Sequence, residues 1–181
     1  MEPNEIQIGL AAAVEEVLET MCFTSVLSSG EGAAPATMEE TLPASGDEGP
    51  PADREVAVPA EAEADAGARA CTAELRFEGN PSGGCRVSVP WNLARAVGAG
   101  FLGLEEMEVS DSQTEEVVCE LANMICGSVL SRLESEATFR IIHPELVPPE
   151  RGAGFEGAGS NRWFDLGDGI LTVSLELQPA I

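Results

Sequence analysis

The chain predicts an α+β fold, an antiparallel sheet with helices on one side, and three observations carry that prediction. Two long stretches repeat their apolar residues at three- and four-residue steps, two others alternate apolar and polar residues about a turn-rich centre, and the two helical stretches resemble each other. Short strands that follow one another through hairpins and loops pair antiparallel, and the helices then cover one face of the layer.

The first element is a helix over residues 5–27, where Ile6, Leu10, Val14, Val17, Leu18 and Met21 make one apolar stripe. From residue 30 to 67 the composition turns to Ala, Pro, Gly and Glu, with ten acidic residues and Arg54 as the sole base. So few large apolar side chains cannot offset the entropy of ordering the segment. Residues 30–68 are therefore expected to be a disordered acidic insert within one domain formed by residues 1–29 and 69–181. Order resumes near Cys71, where CTAELRFEG and CRVSVPW alternate across NPSGG, a turn-rich centre that predicts a hairpin. A short helix runs from Trp91 to Ala99 and is expected to stop at Gly98 and Gly100. Ser110 or Asp111 then caps a third helix, with Glu115 and Glu116 in early turns where the helix dipole favours carboxylates. Beyond it ATFRIIHP reads as a strand, PPERGAGFEGAGSN as a glycine-rich loop, and RWFDLGDGILTVSLELQ as a final hairpin turning near residues 167–169.

Setting residues 14–27 over residues 117–130 gives identity at Val14/Val117, Leu18/Leu121, Met21/Met124, Ser25/Ser128, Val26/Val129 and Leu27/Leu130. The chain thus reads as two related halves. They differ where polarity matters, Val17 standing opposite Glu120 and Thr20 opposite Asn123. At about 100° per residue, Glu116, Glu120, Asn123, Gly127 and Glu134 share one stripe of the later helix, opposite Val118, Leu121, Ala122, Ile125 and Val129. Asn is a poor mid-helix residue because its amide competes for backbone hydrogen bonds, so an exposed Asn123 is either tolerated or used.

Composition narrows the uses. The formal net charge is −23 and all nine basic residues are Arg, a field that repels nucleic acid and anionic membranes and attracts basic protein partners. No apolar run approaches the ~18 residues needed to span a bilayer, and acidic residues occupy the N-terminus where a secretory signal carries Lys or Arg. The expectation is a cytoplasmic protein. Its five cysteines form no CxxC pair, and Cys119 and Cys126, one heptad apart, are expected to act as small buried hydrophobes. His143, the only histidine, precedes a proline and is expected to be incidental, so no metal or cofactor site is foreseen. No GxxxxGK[ST], GxSxG or HExxH motif appears, which sets aside nucleotide-binding enzymes, serine hydrolases and zinc hydrolases of those types.

The single Glu120-x-x-Asn123 on a helix, followed by NMICGSVL and set in a chain with a degenerate helical repeat, resembles the CheC/CheX/FliY phosphatases of bacterial chemotaxis, and CheX most among them. The resemblance covers roughly residues 5–27 and 71–178. It implies two long helices packed on an antiparallel sheet with a pseudo-twofold internal repeat, a sheet-edge homodimer, and dephosphorylation of the aspartyl phosphate of a CheY-type receiver. Glu120 then matches the glutamate that contacts the receiver, and Asn123 the amide that reaches its active site. The family often carries Asp or Ser four residues before the glutamate, where this chain has Glu116, and a later proline, represented here by Pro144 or Pro148.

The chemistry suits the pair. Hydrolysing an acyl phosphate requires a water held in line with phosphorus and cations on the equatorial oxygens, and a neutral carboxamide can orient that water where a carboxylate would be repelled. Mg²⁺ and a lysine are expected on the receiver, and Glu120 can pair with that lysine. A noncatalytic adaptor of the same fold that binds a receiver or a flagellar-switch-like partner is the alternative, and a plain acidic interaction domain a third reading.

Overall fold

The structure, a computed structural model, describes residues 3–34, 69–133, 138–148, 155 and 159–178. Its elements are α1 (Pro3–Met21), β1 (Ser28–Glu31), β2 (Ala70–Glu78), β3 (Ser82–Pro90), α2 (Trp91–Leu102), a 3₁₀ turn (Glu106–Glu108), α3 (Asp111–Leu133), β4 (Arg140–Ile141), β5 (Glu145–Leu146), β6 (Ser160–Asp165) and β7 (Ile170–Gln178). Three helices lie on an antiparallel sheet of seven strands, ordered β1-β6-β7-β3-β2-β4 with β5 also on β2. This is the α+β layer expected.

Exchanging β1 with β4, β2 with β6 and β3 with β7 turns the strand order into its own reverse. The symmetry runs between β3 and β7, which pair from Ser82↔Gln178 to Ser88↔Thr172. Helix α1 packs on α3 and over β6, while α3 lies over β2 and β3. One apolar core fills the layer between them: Leu10, Val14 and Leu18 from α1, Leu121, Ile125 and Val129 from α3, and alternate residues such as Leu75, Phe77, Val87, Val173 and Leu175 from the sheet.

Several boundaries differ from expectation. Helix α1 ends at Met21 because Phe23 takes a left-handed conformation (φ 54°) and the Thr24 N–H donates back to the Leu18 carbonyl at 3.0 Å. The identities at Ser25, Val26 and Leu27 therefore fall in a loop, whereas Ser128, Val129 and Leu130 are helical. The topology carries the repeat; those three matches do not. Helix α2 continues through Gly98 and Gly100 to Leu102 and is closed by Gly103 at φ 66°. A Cβ at Gly100 would collide with the Cys22 carbonyl oxygen, so this glycine allows a close approach and does not stop the helix. Gly83 and Gly84 belong to β3, not to the turn, and Gly83 lies against the Glu176 carbonyl of β7. Among the described residues seven strands replace the five expected: β1 spans Ser28–Glu31 and takes residues 30 and 31 from the start of the supposed insert, and the strand read at 137–144 is reduced to β4, with β5 following. The rest of the acidic insert, from residue 35 to 68, and most of the glycine-rich loop lie outside the described residues.

Candidate functional site

Helix α3 starts with a reciprocal cap. The Ser110 hydroxyl accepts the Gln113 N–H at 3.3 Å while the Gln113 side-chain oxygen accepts the Ser110 N–H at 3.0 Å. Arg69, stacked 3.5 Å over the Trp91 ring, reaches Asp111 at 3.9 Å and Glu115 at 3.6 Å and so ties the first turns to the start of β2 and α2. Rotation of the helix is set by packing. Leu121 and Ile125 each gain roughly 1.5–3 kcal/mol from burial. The repulsion between Glu116 and Glu120, one turn apart, is about 0.2–0.5 kcal/mol. Burial wins, and the two carboxylates stand outward as a ridge with half-buried Asn123 beside them.

The acids of this face divide by partner. Glu115 meets Arg69, and Glu116 accepts the Ser112 hydroxyl at 3.4 Å. Glu120 and Asn123 have no side-chain partner among the described residues. The pair foreseen in the sequence is thus brought together and left open.

Opposite it stands the segment around His143 and Pro144, which the sequence did not connect with the pair. The chain pairs with the edge of β2 at Phe77↔Ile141 and again at Ala73↔Leu146, with the Ile142 N–H on the Arg76 carbonyl and the Val147 N–H on the Thr72 carbonyl, both at 2.8 Å. Between those anchors His143 and buried Pro144 leave the ladder and face α3, where a proline needs no strand partner. They close a cleft of about 320 Å³ whose other wall includes Cys119, Glu120 and Asn123. His143, read as incidental, is therefore a wall residue of the candidate site, and Pro144 is the proline brought beside Asn123. Only a long-range contact places them there. A larger hollow of about 390 Å³ lies beyond His143 against β2. Its Glu74 already meets Arg76 at 3.2 Å and Arg86 at 2.6 Å, so that carboxylate is matched internally.

The cleft offers no thiolate for nucleophilic attack at neutral pH. Burial, then the carboxylates of Glu115 and Glu116, raise the Cys119 thiol above its ordinary value, and burial with Glu115 pushes neighbouring Cys71 up to about 12. Both stay protonated at neutral pH. Cys126 is fully buried, as expected, while Cys119 is only partly so. Among the described residues no three His, Cys, Asp or Glu side chains converge on a point that could hold a metal ion.

This helix-and-sheet layer defines a class of fold, and solved structures share it. A CheX from Desulfovibrio desulfuricans is 18% identical with a TM-score of 0.62, over 96% of this chain and 99% of that one. The CheX of a complex with CheY, BeF₃ and Mg²⁺ from Borrelia burgdorferi is 16% identical with a TM-score of 0.64, over 96% and 97%. A CheC-like superfamily protein from Shewanella sp. PV-4 is 12% identical with a TM-score of 0.61, over 98% and 99%. At these identities the likeness is one of fold. Residues 71–153, from β2 through β5 and including α3, match the family model of chemotaxis phosphatase CheX. No curated protein matches the chain in sequence. The resemblance is therefore to the CheC/CheX/FliY family, and within it to CheX.

Proposed function

We propose that this chain is a CheX-like phosphatase that hydrolyses the aspartyl phosphate of a CheY-type receiver. One observation carries the reading: Glu120 and Asn123 lie on the exposed ridge of α3, unpaired among the described residues, at the mouth of a cleft. The family match and the Borrelia CheX complex with CheY support the partner class.

In this reading Glu120 docks by pairing with the receiver's active-site lysine, and the Asn123 carboxamide enters that active site. The amide accepts one hydrogen bond from a water and holds it in line with phosphorus. Water attacks, the phosphorus–oxygen bond to the aspartyl carboxylate breaks, and inorganic phosphate leaves. The receiver's Mg²⁺ and lysine neutralise the equatorial oxygens, so this chain contributes no metal. The site of action is the cytoplasm, where receivers reside. Among the described residues β1 has no strand on its outer side, and that edge fits antiparallel pairing with a second copy, giving a homodimer.

The test is phosphate release from phosphorylated receiver with the full chain and with Asn123→Ala. Release that depends on Asn123 supports the phosphatase. Binding without release supports the adaptor instead.

A further inference from the structure

The ridge of Glu116 and Glu120 separates two grooves. One is the cleft with Asn123 and His143. The other, about 280 Å³, runs between the end of α2 and the start of α3, lined by Phe101, Leu102, Gln113, Glu116, Val117 and Glu120. Its floor is apolar and its rim is acidic. Gln113, its one amide, is committed to the cap, its oxygen accepting both the Ser110 N–H and hydroxyl. Among the described residues no group suited to reacting with phosphate lines this second groove, and no basic side chain neutralises its rim. Two carboxylates one helical turn apart repel each other until a cation comes between them.

We infer that this groove receives a lysine or arginine side chain from the receiver surface, a second cation distinct from the active-site lysine. The aliphatic stem lies on Phe101, Leu102 and Val117, and the charged end is held by Glu116 with Glu120 beside it. Long basic side chains suit such a site because they bury methylenes while keeping the charge at the rim. The inference rests on the phosphatase reading for its partner. It assigns Glu116 and Leu102 to partner choice and leaves the chemistry to the first cleft. A receiver lacking a basic residue at that place would be a poor partner, because the two carboxylates would be left facing an uncharged surface.

The experiment measures binding of beryllofluoride-activated, Mg²⁺-loaded CheY-type receiver to the full chain by fluorescence anisotropy, together with phosphate release from the phosphorylated receiver. Glu116→Gln and Leu102→Ser alter exposed side chains, Leu102 being 38% exposed, and thermal melting verifies the fold of each. Both are expected to raise Kd and KM about fivefold while kcat changes less than twofold. Glu116→Gln also flattens the dependence of Kd on salt; Leu102→Ser does not. A charge swap pairs Glu116→Arg with a receiver whose contacting lysine or arginine is replaced by glutamate, and is expected to recover binding lost by either change alone. Wild-type Kd in both variants, or a fall in kcat at unchanged KM, overturns the inference and leaves the proposed phosphatase standing. Wild-type binding without phosphate release, weakened by the same variants, overturns the phosphatase and keeps the groove. A chain that neither binds nor dephosphorylates any receiver of its own genome overturns both.

Discussion

Helices α1 and α3 hold equivalent places in the pseudo-symmetric layer, yet they treat the same positions in opposite ways. Val14 and Val117, like Leu18 and Leu121, are buried in both. Glu116 and Glu120 form the outward ridge of α3, but their counterparts Ala13 and Val17 are turned inward, at 0% and 6% exposure. Thr20, opposite Asn123, is exposed, and its hydroxyl is bound back to the Glu16 carbonyl of its own helix. The halves therefore share the packing stripe and differ in the stripe beside it. A duplicated helix keeps what the common core requires, while an adjacent face can be covered in one copy and left open in the other.

The sharpest way to break that comparison is to write the polar pair into α1. Val17→Glu with Thr20→Asn is expected to destabilise the fold by about 3–5 kcal/mol, because the new carboxylate is buried without a cation. Thr20→Asn alone should cost little. Urea denaturation measures both, and a double variant with unchanged midpoint and a second unit of phosphatase activity would show that α1 also presents an open face. On α3 the complementary change is Asn123→Ala, expected to lower kcat about 100-fold with little effect on stability, as removal of one positioned polar group commonly does. Single-turnover phosphate release at saturating receiver decides it. Glu120→Lys is expected to weaken receiver binding about tenfold. If only long-range repulsion is at work the defect disappears at high salt, and if a close contact is lost it persists.

The smallest effect concerns the contact between the two helices. Arg132 of α3 pairs with Glu16 of α1, and hydrogen bonding to Arg132, followed by its charge and a bond from Ser128, lowers the Glu16 pKa from 4.5. A carboxylate lowered in the folded state contributes stability above its unfolded value and loses it as pH falls through the folded one. Arg132→Ala should therefore lower Tm slightly at pH 7, and the deficit should shrink as pH falls below 4.5 and through the lowered Glu16 value. Equal Tm of the two proteins at pH 7 would show the exposed pair to be inert.

Whatever depends on local periodicity was readable before the structure. The core stripe of α3, the open Glu120 and Asn123, and both long hairpins follow from spacing and turn residues. Strand β1 was hidden because Ser28–Glu31 has neither an apolar residue nor alternation and is a strand only by pairing with β6. The end of α1 was hidden because Val26 and Leu27 continue the apolar pattern while Phe23, no ordinary helix stop, turns the chain. Gly100 was misread because its purpose lies in a loop 78 residues earlier, at Cys22. His143 entered the site by the same route, through an edge strand anchored on β2.

The crossed pairing of the halves also sets an order of assembly. β2, β3, α2, α3, β4 and β5 form one uninterrupted stretch in which α3 and β4 lie on the hairpin made just before them, so the segment carrying the cleft can settle as soon as it is synthesised. The first helix and β1 have no such neighbour on the sheet. Arg162 of β6 bonds to Ser29 of β1 across 133 residues of chain, and α1 lies over that same late strand. At translation rates of about 5–20 residues per second, α1 waits about 7–30 seconds for the strand it covers. Until then its main packing partner is α3. Helix α1, made before the strand it covers, is thus secured late, after the stretch bearing Glu120 and Asn123 already has its own hairpin to settle on.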